Sequence, residues 1–480
     1  MVYSKKYVII PISFSEKTQR IFFYKNGERF FYLDAKITDG DPDFVSYASL
    51  PCDKGSEIEC ILDGNPITLG QSDTMNLDGL YDEPLRPKAH FTVANGWNND
   101  PNGMIKLGDT YHMFYQYNPC DIGWGNMHWG HATSPDMLTW RETDVALYPD
   151  ALGTMYSGSA IEKDGKMFLF YTAAGDHSYL DEKPPFTQCL AISEDGGKTF
   201  KKYENNPIIK NIGIGNRDPK VVYSKTLGCY LMALYLDEGA FPKSFGYYAF
   251  FTSDDLYSWK MIQRFEIPND FECPDILIYE KDSKEYYAIM GASGNYIIGE
   301  FVNRLFKAVS KPSSIFPKCI DYAGQSFSGM GDRHVRIGWQ RINVDGRRFS
   351  QQMGIPIELS LVGEGADMHL VTSPIKEIED LASETLTLSS LMPEEEISLT
   401  GDAYDISLEC EGALTLSVFG KELVLQKGTA RIIVDICSVE LWNNEFYTVI
   451  GHVMKNEEIK HISGANASNV RISRLSDIHK

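Results

Sequence analysis

One short motif returns along the chain at a nearly fixed interval. Ser134-Pro-Asp-Met-Leu-Thr-Trp140 recurs as Ser253-Asp-Asp-Leu-Tyr-Ser-Trp259, and Ser193-Glu-Asp-Gly-Gly-Lys-Thr-Phe200 lies between them. The starts are 193 − 134 = 59 and 253 − 193 = 60 residues apart. Each copy follows a β-rich run and ends on an aromatic ring, the pattern of a Ser-x-Asp turn that closes a hairpin. About 50–60 residues suffice for one four-stranded propeller blade. The span 86–360 therefore reads as a propeller of about five blades.

The flanks have a different texture. Residues 1–85 carry short β-rich runs at 7–12, 20–24, 29–33 and 57–62, broken by Asn-Gly, Asp-Gly-Asp-Pro and Asp-Gly-Asn-Pro turns. They predict a small β-domain, with Asn26-Gly27 as a hairpin turn. The stretch 76–88, with two prolines and several acids, reads as a linker. Residues 361–480 alternate at 403–409, 414–419, 422–425 and 430–435, which predicts a second β-sandwich. The whole chain reads as all-β.

A second series runs in register with the first. Asn99-Asp100-Pro101-Asn102-Gly103 is followed by Ser157-Gly158-Ser159, then Arg217-Asp218-Pro219, then Glu272-Cys273-Pro274-Asp275. The steps from Asp100 are 157 − 100 = 57, 218 − 157 = 61 and 272 − 218 = 54 residues. Residues that recur once per blade occupy equivalent places, and the innermost strands of a propeller converge on its axis. Three carboxylates from separate blades then meet in one funnel. Glycoside hydrolysis needs two such groups, one nucleophile or base and one acid for the leaving oxygen. The prolines are expected to hold the preceding residues extended, and Arg217 supplies a fork of donors.

Composition narrows the partners. With 45 Lys plus Arg against 66 Asp plus Glu, the net charge of −21 argues against nucleic acid or an anionic membrane surface. No apolar run reaches the 18 residues a membrane helix needs. The first residues lack a secretory apolar region and cleavage site, so the expectation is a cytoplasmic protein, or a secreted one whose signal has been removed. The nine cysteines include no C-x-x-C spacing, which gives neither a disulfide framework nor a zinc site. Trp, Tyr and Phe sum to 7 + 27 + 25 = 59, rings that suit strands and also make platforms for sugars.

The motifs together resemble glycoside hydrolase family 32, the invertase, levanase and inulinase family. The resemblance is carried by His90-Phe-Thr-Val-Ala-Asn-Gly-Trp97-Asn-Asn-Asp-Pro-Asn-Gly103, Phe114-Tyr-Gln-Tyr-Asn-Pro119, Trp124-Gly-Asn-Met-His-Trp-Gly-His131, Tyr156-Ser-Gly-Ser-Ala160, Arg217-Asp-Pro219 and Glu272-Cys-Pro-Asp275. Ile337-Gly-Trp339 and Asp435-Ile-Cys-Ser-Val-Glu-Leu-Trp442 extend it toward the C-terminus, so that it covers about 88–450. It implies a five-bladed propeller followed by a β-sandwich. It also implies Asp100 as nucleophile, Glu272 as general acid/base and Asp218 as transition-state stabiliser. Asn99, Gln116, Trp124, Tyr156, Ser157 and Arg217 match positions that line the sugar subsite. Tyr156 stands where Phe is usual and Phe271 where Trp is frequent. The fifth-blade segment 320–327 looks shortened, and residues 1–85 lie outside the shared core; a similar extra β-domain precedes some bacterial levanase-like members.

The implied activity is retaining, exo-type release of terminal β-fructofuranosyl units from sucrose, fructo-oligosaccharides or fructans. A fructosyltransferase and a non-catalytic fructan-binding propeller are the alternatives, and a homodimer is open. No catalytic metal or organic cofactor is implied. His128 and His131, three apart, point to opposite faces of a strand and cannot share a ligand. Cys273 reads as a small buried apolar residue, since no His adjoins it. Trp140 and Trp259 read as blade-turn anchors and Trp124 as a sugar platform.

Overall fold

The computed structural model describes residues 1–480 except 77, 240–245, 317–319, 345, 419, 452–460 and 464–465. Strands dominate, and the helices among the described residues are three short 3-10 turns. Five mainly antiparallel sheets follow one another from Gly96 onward. Their first strands are Gly96–Leu107, Thr154–Lys163, Arg217–Ser224, Asp275–Lys281 and Asp321–Ser326. Each of these strands touches the next, and the fifth touches the first, so the sheets close into a ring around an axis. These sheets are blades one to five. Because each blade is covered on both faces by its neighbours, strands such as Lys166–Ala174 are buried almost without interruption.

The ring is closed by a late segment. Phe349–Ser350 pairs in parallel with Gly96 and Trp97 at the inner edge of blade one. Blade five takes its outer strands from Ile357–Val362 and His369–Pro374, which carries the propeller past residue 360. The sequence alternates in the same way on both sides of that boundary, so the hairpin gave no local sign of the module it joins.

The repeated turn has one geometry in its three copies. The hydroxyls of Ser134, Ser193 and Ser253 donate to Asp136, Asp195 and Asp255, whose carboxylates accept the backbone N–H groups that follow. In each copy the fourth residue is left-handed: Met137 (φ 68°), Gly196 (φ 74°) and Leu256 (φ 76°). The indoles of Trp140 and Trp259 donate to the carbonyls of Met137 and Leu256, which pins the ring over the turn.

Strands between Val2 and Ser72 form the N-terminal domain, in sheets of four, three and two strands. Tyr7–Ile12 alternates half-buried and buried, as a strand with one core face must. Asn26 (φ 54°) and Gly27 (φ 78°) make the hairpin turn, where two consecutive positive φ values match the twist of the paired strands. Its core of Val8, Ile10, Phe23 and Phe31 includes Cys120 from blade one, so the domain is seated on the propeller. The connecting stretch 76–88, of which residue 77 lies outside the described residues, holds no strand but is not loose. Arg86 is fully buried, donates to Thr92 and Val93, pairs with Glu83 and lies 3.6 Å over the Phe349 ring.

From Ala382 onward a six-stranded and a four-stranded sheet form the C-terminal sandwich. The strands Tyr404–Cys410, Leu414–Val418, Lys421–Leu425 and Gly428–Val434 correspond to the four alternating runs; Phe419 lies outside the described residues. At the seam with the propeller, His90 sits between Asp435 (2.8 Å) and Glu440 (2.9 Å), all three buried. Burial works against the imidazolium, but the two carboxylates hold the His90 pKa up at about 9.

Candidate active site

The five innermost strands each bring one polar side chain to the axis. Asp100 comes from blade one, Ser157 from two, Asp218 from three, Glu272 from the entry to four, and Tyr322 from five. In blades one, two and three the strand register slips where that residue sits, between Asn98 and Pro101, Tyr156 and Gly158, and Arg217 and Lys220; in blade five it slips just after Tyr322, which itself pairs with Trp339. These are β-bulges, which leave a residue unpaired and re-aim its side chain. They also revise one expectation. The prolines were to keep their predecessors extended, yet Asp218 has φ 66° and Cys273 has φ 37°, both left-handed. At Asp218 the bulge overrides the proline preference, and at the entry to blade four Glu272 (φ 56°) and Cys273 share a left-handed backbone.

Asp100 is buried and held by three donors. Ser157 Oγ donates to Oδ2 at 2.5 Å, Asn99 Nδ2 to Oδ1 at 3.1 Å, and Gln116 Nε2 reaches Oδ2 at 3.5 Å. The donors are themselves fixed: Gln116 donates to Ser157 Oγ at 2.6 Å, Asn99 to Gln116 Oε1 at 3.1 Å, and the Trp97 indole to Asn99 Oδ1 at 2.8 Å. Burial raises the Asp100 pKa; the Ser157 and Asn99 hydrogen bonds offset part of this, and the Glu272 charge adds to it.

Glu272 is held from two sides. Arg217 Nη2 donates to Oε1 at 2.7 Å and the Tyr322 hydroxyl to Oε2 at 2.7 Å. Arg217 is anchored by Asp237 at 3.1 Å and by the carbonyl of Gly215, and lies 4.7 Å from the Tyr235 ring centre. Asp218 is buried, with its N–H on Thr172 and its carboxylate accepting the Cys273 N–H at 3.0 Å. Burial pushes its pKa up to about 7; Arg217 at 3.9 Å opposes the rise and Glu272 adds to it. Asp218 is thereby poised near neutral pH.

Cys273 is buried, as expected of a small core residue, but it is not merely apolar. Its Sγ lies 3.5 Å from both Asp100 Oδ2 and Asp218 Oδ2, between the two acids. Tyr322, Asp237, Trp97 and Cys273 thus belong to the site without having been singled out as site residues. The signal for Tyr322 was the period itself, since it follows Glu272 by 322 − 272 = 50 residues. Trp124 is 48% exposed, with its ring edge-on to Tyr156 (6.1 Å) and His177 (5.2 Å) beside the funnel. His128 and His131 do face apart: His131 pairs with His112 at 3.0 Å, while His128 packs on Phe31 and Tyr148. A cavity of about 600 Å³ lies away from the axis, between the N-terminal domain and the outer side of blade one.

Residues 90–374 match the family model for the glycosyl hydrolases family 32 N-terminal domain. The levanase of Bacillus subtilis (strain 168) is 32% identical over 372 residues, covering 68% of this chain and 53% of the levanase. The extracellular exo-inulinase of Aspergillus awamori is 29% identical over 359 residues, covering 61% of this chain and 65% of the inulinase. The chain thus spans about half the length of the levanase and just under two thirds of that inulinase. Among solved structures, an exo-inulinase from Aspergillus awamori superposes with TM-score 0.69 at 22% identity, covering 83% of this chain and 99% of that one. The Bombyx mori β-fructofuranosidase gives TM-score 0.68 at 22% identity, covering 82% and 94%. These likenesses extend the propeller-plus-sandwich fold over most of the chain, and the family model covers more than half of it: this protein belongs to glycosyl hydrolase family 32.

Proposed function

We propose that the chain is a retaining β-fructofuranosidase that releases terminal fructose units from sucrose or β-fructans. The observation that carries this is the assignment of separate supports to two carboxylates at one axis. Asp100 is gripped by Ser157, Asn99 and Gln116, while Glu272 is gripped by Arg217 and Tyr322. A nucleophile must be fixed for in-line attack, and an acid/base must be fixed on the leaving oxygen.

In the first step an Asp100 oxygen forms a bond to the anomeric carbon as the bond to the leaving oxygen breaks, and that oxygen takes the proton of the Glu272 carboxyl. In the second, Glu272 accepts a proton from water as the water oxygen bonds to the same carbon and Asp100 departs. Two displacements on one carbon retain its configuration. Asp218 accepts hydrogen bonds from ring hydroxyls that tighten as positive charge develops. Trp124 offers an apolar face to the sugar. Relatives named exo-inulinase support attack at a chain end.

The test is fructose release from sucrose, inulin and levan. Asp100→Asn should lower kcat by at least about 10³-fold with the fold intact. Wild-type activity near zero on all three substrates, or an Asp100→Asn protein that still turns over, overturns the reading.

A further inference from the structure

The N-terminal domain meets the propeller beside the proposed sugar platform. The side-chain amide of Asn126 exchanges two hydrogen bonds with the backbone of Asp34, at 2.8 and 2.7 Å, as a strand partner would. The Tyr32 hydroxyl donates to the carbonyl of His177 at 2.8 Å, and Arg29 to that of Tyr179 at 2.7 Å. The domain is thereby clamped to the turn that carries Trp124 and to the blade-two turn that carries His177. Between them lies a cavity of about 250 Å³, with Thr18, Tyr32 and Asp34 on one side and Asn118, Trp124 and Thr154 on the other.

Its lining has the chemistry of a sugar site. Trp124 is half exposed, and the Asp34 carboxylate, paired with Arg20, keeps lone pairs that can accept from a hydroxyl. Thr154 is 2% exposed, and its hydroxyl has no hydrogen-bond partner among the described residues. A buried hydroxyl left unpaired costs about 1–3 kcal/mol, so its position favours a ligand or a water that can bond it. The cavity continues the active-site wall, because Trp124 contacts Tyr156, and the next residue, Ser157, bonds Asp100. Its volume falls below the ~300–1,000 Å³ of pockets for drug-sized ligands, which fits one sugar ring rather than an oligosaccharide.

We propose that this cavity is a distal subsite built jointly by the N-terminal domain and the propeller, which takes one ring of a neutral fructo-oligosaccharide whose terminal unit is held at Asp100. The proposal rests on the fructosidase reading for its ligand class. The subsite selects for chain length, since a disaccharide fills the axial site without reaching it.

Calorimetric titration of the full-length Asp100→Asn protein with sucrose and with β-fructo-oligosaccharides of increasing length tests it without turnover. Affinity is expected to rise with length. Adding Thr154→Val, which keeps the shape and removes the hydroxyl, should remove about fivefold of that rise. Adding Thr18→Trp, which fills the cavity from an exposed position, should abolish it. Sucrose affinity should stay within about twofold in both. A length dependence untouched by both substitutions, or an equal loss on sucrose and on longer chains, overturns the subsite. No binding of any fructoside overturns both proposals. Wild-type protein that binds fructosides but never releases fructose overturns the hydrolase reading alone, and the length dependence still decides the subsite.

Discussion

Two clusters of buried acids sit in different parts of this molecule and are treated in opposite ways. At the propeller axis, Asp218 and Glu272 share one guanidinium, Asp100 is held by neutral donors, and burial lifts the pKa values of Asp100 and Asp218. At the seam with the sandwich, Asp435 and Glu440 flank His90, and their carboxylates also accept from Lys88, Ala89, Gln340, Ile355 and Tyr447. Burial would raise the Asp435 pKa, but its bonds to His90 and the backbone hold it low. A structural cluster is compensated until nothing is poised to react. A reactive one is left short of positive charge, and the surrounding blades hold it in place at a cost in stability.

The contrast can be broken most strongly at the seam. His90→Ala leaves two buried carboxylates facing one another and should destabilise the protein by about 3–5 kcal/mol in denaturant unfolding. At the axis the sign reverses. Asp218 has a folded pKa of about 7 against an ordinary value of 3.8, so the folded state keeps a proton that the unfolded chain has already given up. Its contribution to stability therefore falls as pH rises from about 4 to about 7 and is level beyond. Asp218→Asn should thus be more stable than wild type at pH 8, by about 2–4 kcal/mol, while losing activity. An Asn variant less stable at pH 8 would refute the claim of an under-compensated site.

The pH dependence of the seam sharpens the comparison. The folded pKa of His90, about 9, lies above the ordinary 6.5, so its contribution is complete below pH 6.5 and lost as pH rises through 9. The stability gap between wild type and His90→Gln should narrow over that window, read from unfolding midpoints across pH. The smallest effect is expected from Tyr322→Phe, which removes one of the two donors to Glu272. It should cost about tenfold in kcat/KM and leave thermal stability nearly unchanged. A stability loss without a kinetic one would make Tyr322 a core residue instead.

Four of the five axial positions were legible because they recur in step with the blade turns and carry residues of obvious chemistry. Tyr322 was not, since a tyrosine in Asp321-Tyr-Ala-Gly324 looks like any strand residue until the folded ring sets its hydroxyl on Glu272. The His90 cluster was closed to sequence reasoning for a different reason: its partners lie 345 and 350 residues away. Asp435 and Glu440 were visible only as part of a family-like segment. The docking of the N-terminal domain was equally hidden, because Asn126 bonds backbone atoms of Asp34, which no side-chain pattern announces. The backbone at Asp218 misled, because a proline rule for regular chain does not foresee a bulge.

The parallel pairing of Phe349–Ser350 with Gly96 and Trp97 has a consequence for the order of assembly. Trp97 fixes Asn99, and Asn99 in turn holds Asp100. The strand that carries the first catalytic acid thus gains its inner neighbour only from chain that lies some 250 residues later. During synthesis, blade one can form its hairpins early, yet it waits for blade five before its inner edge is sealed. A fragment that stops short of residue 349 would contain all three acids and still lack the latch beneath the first of them.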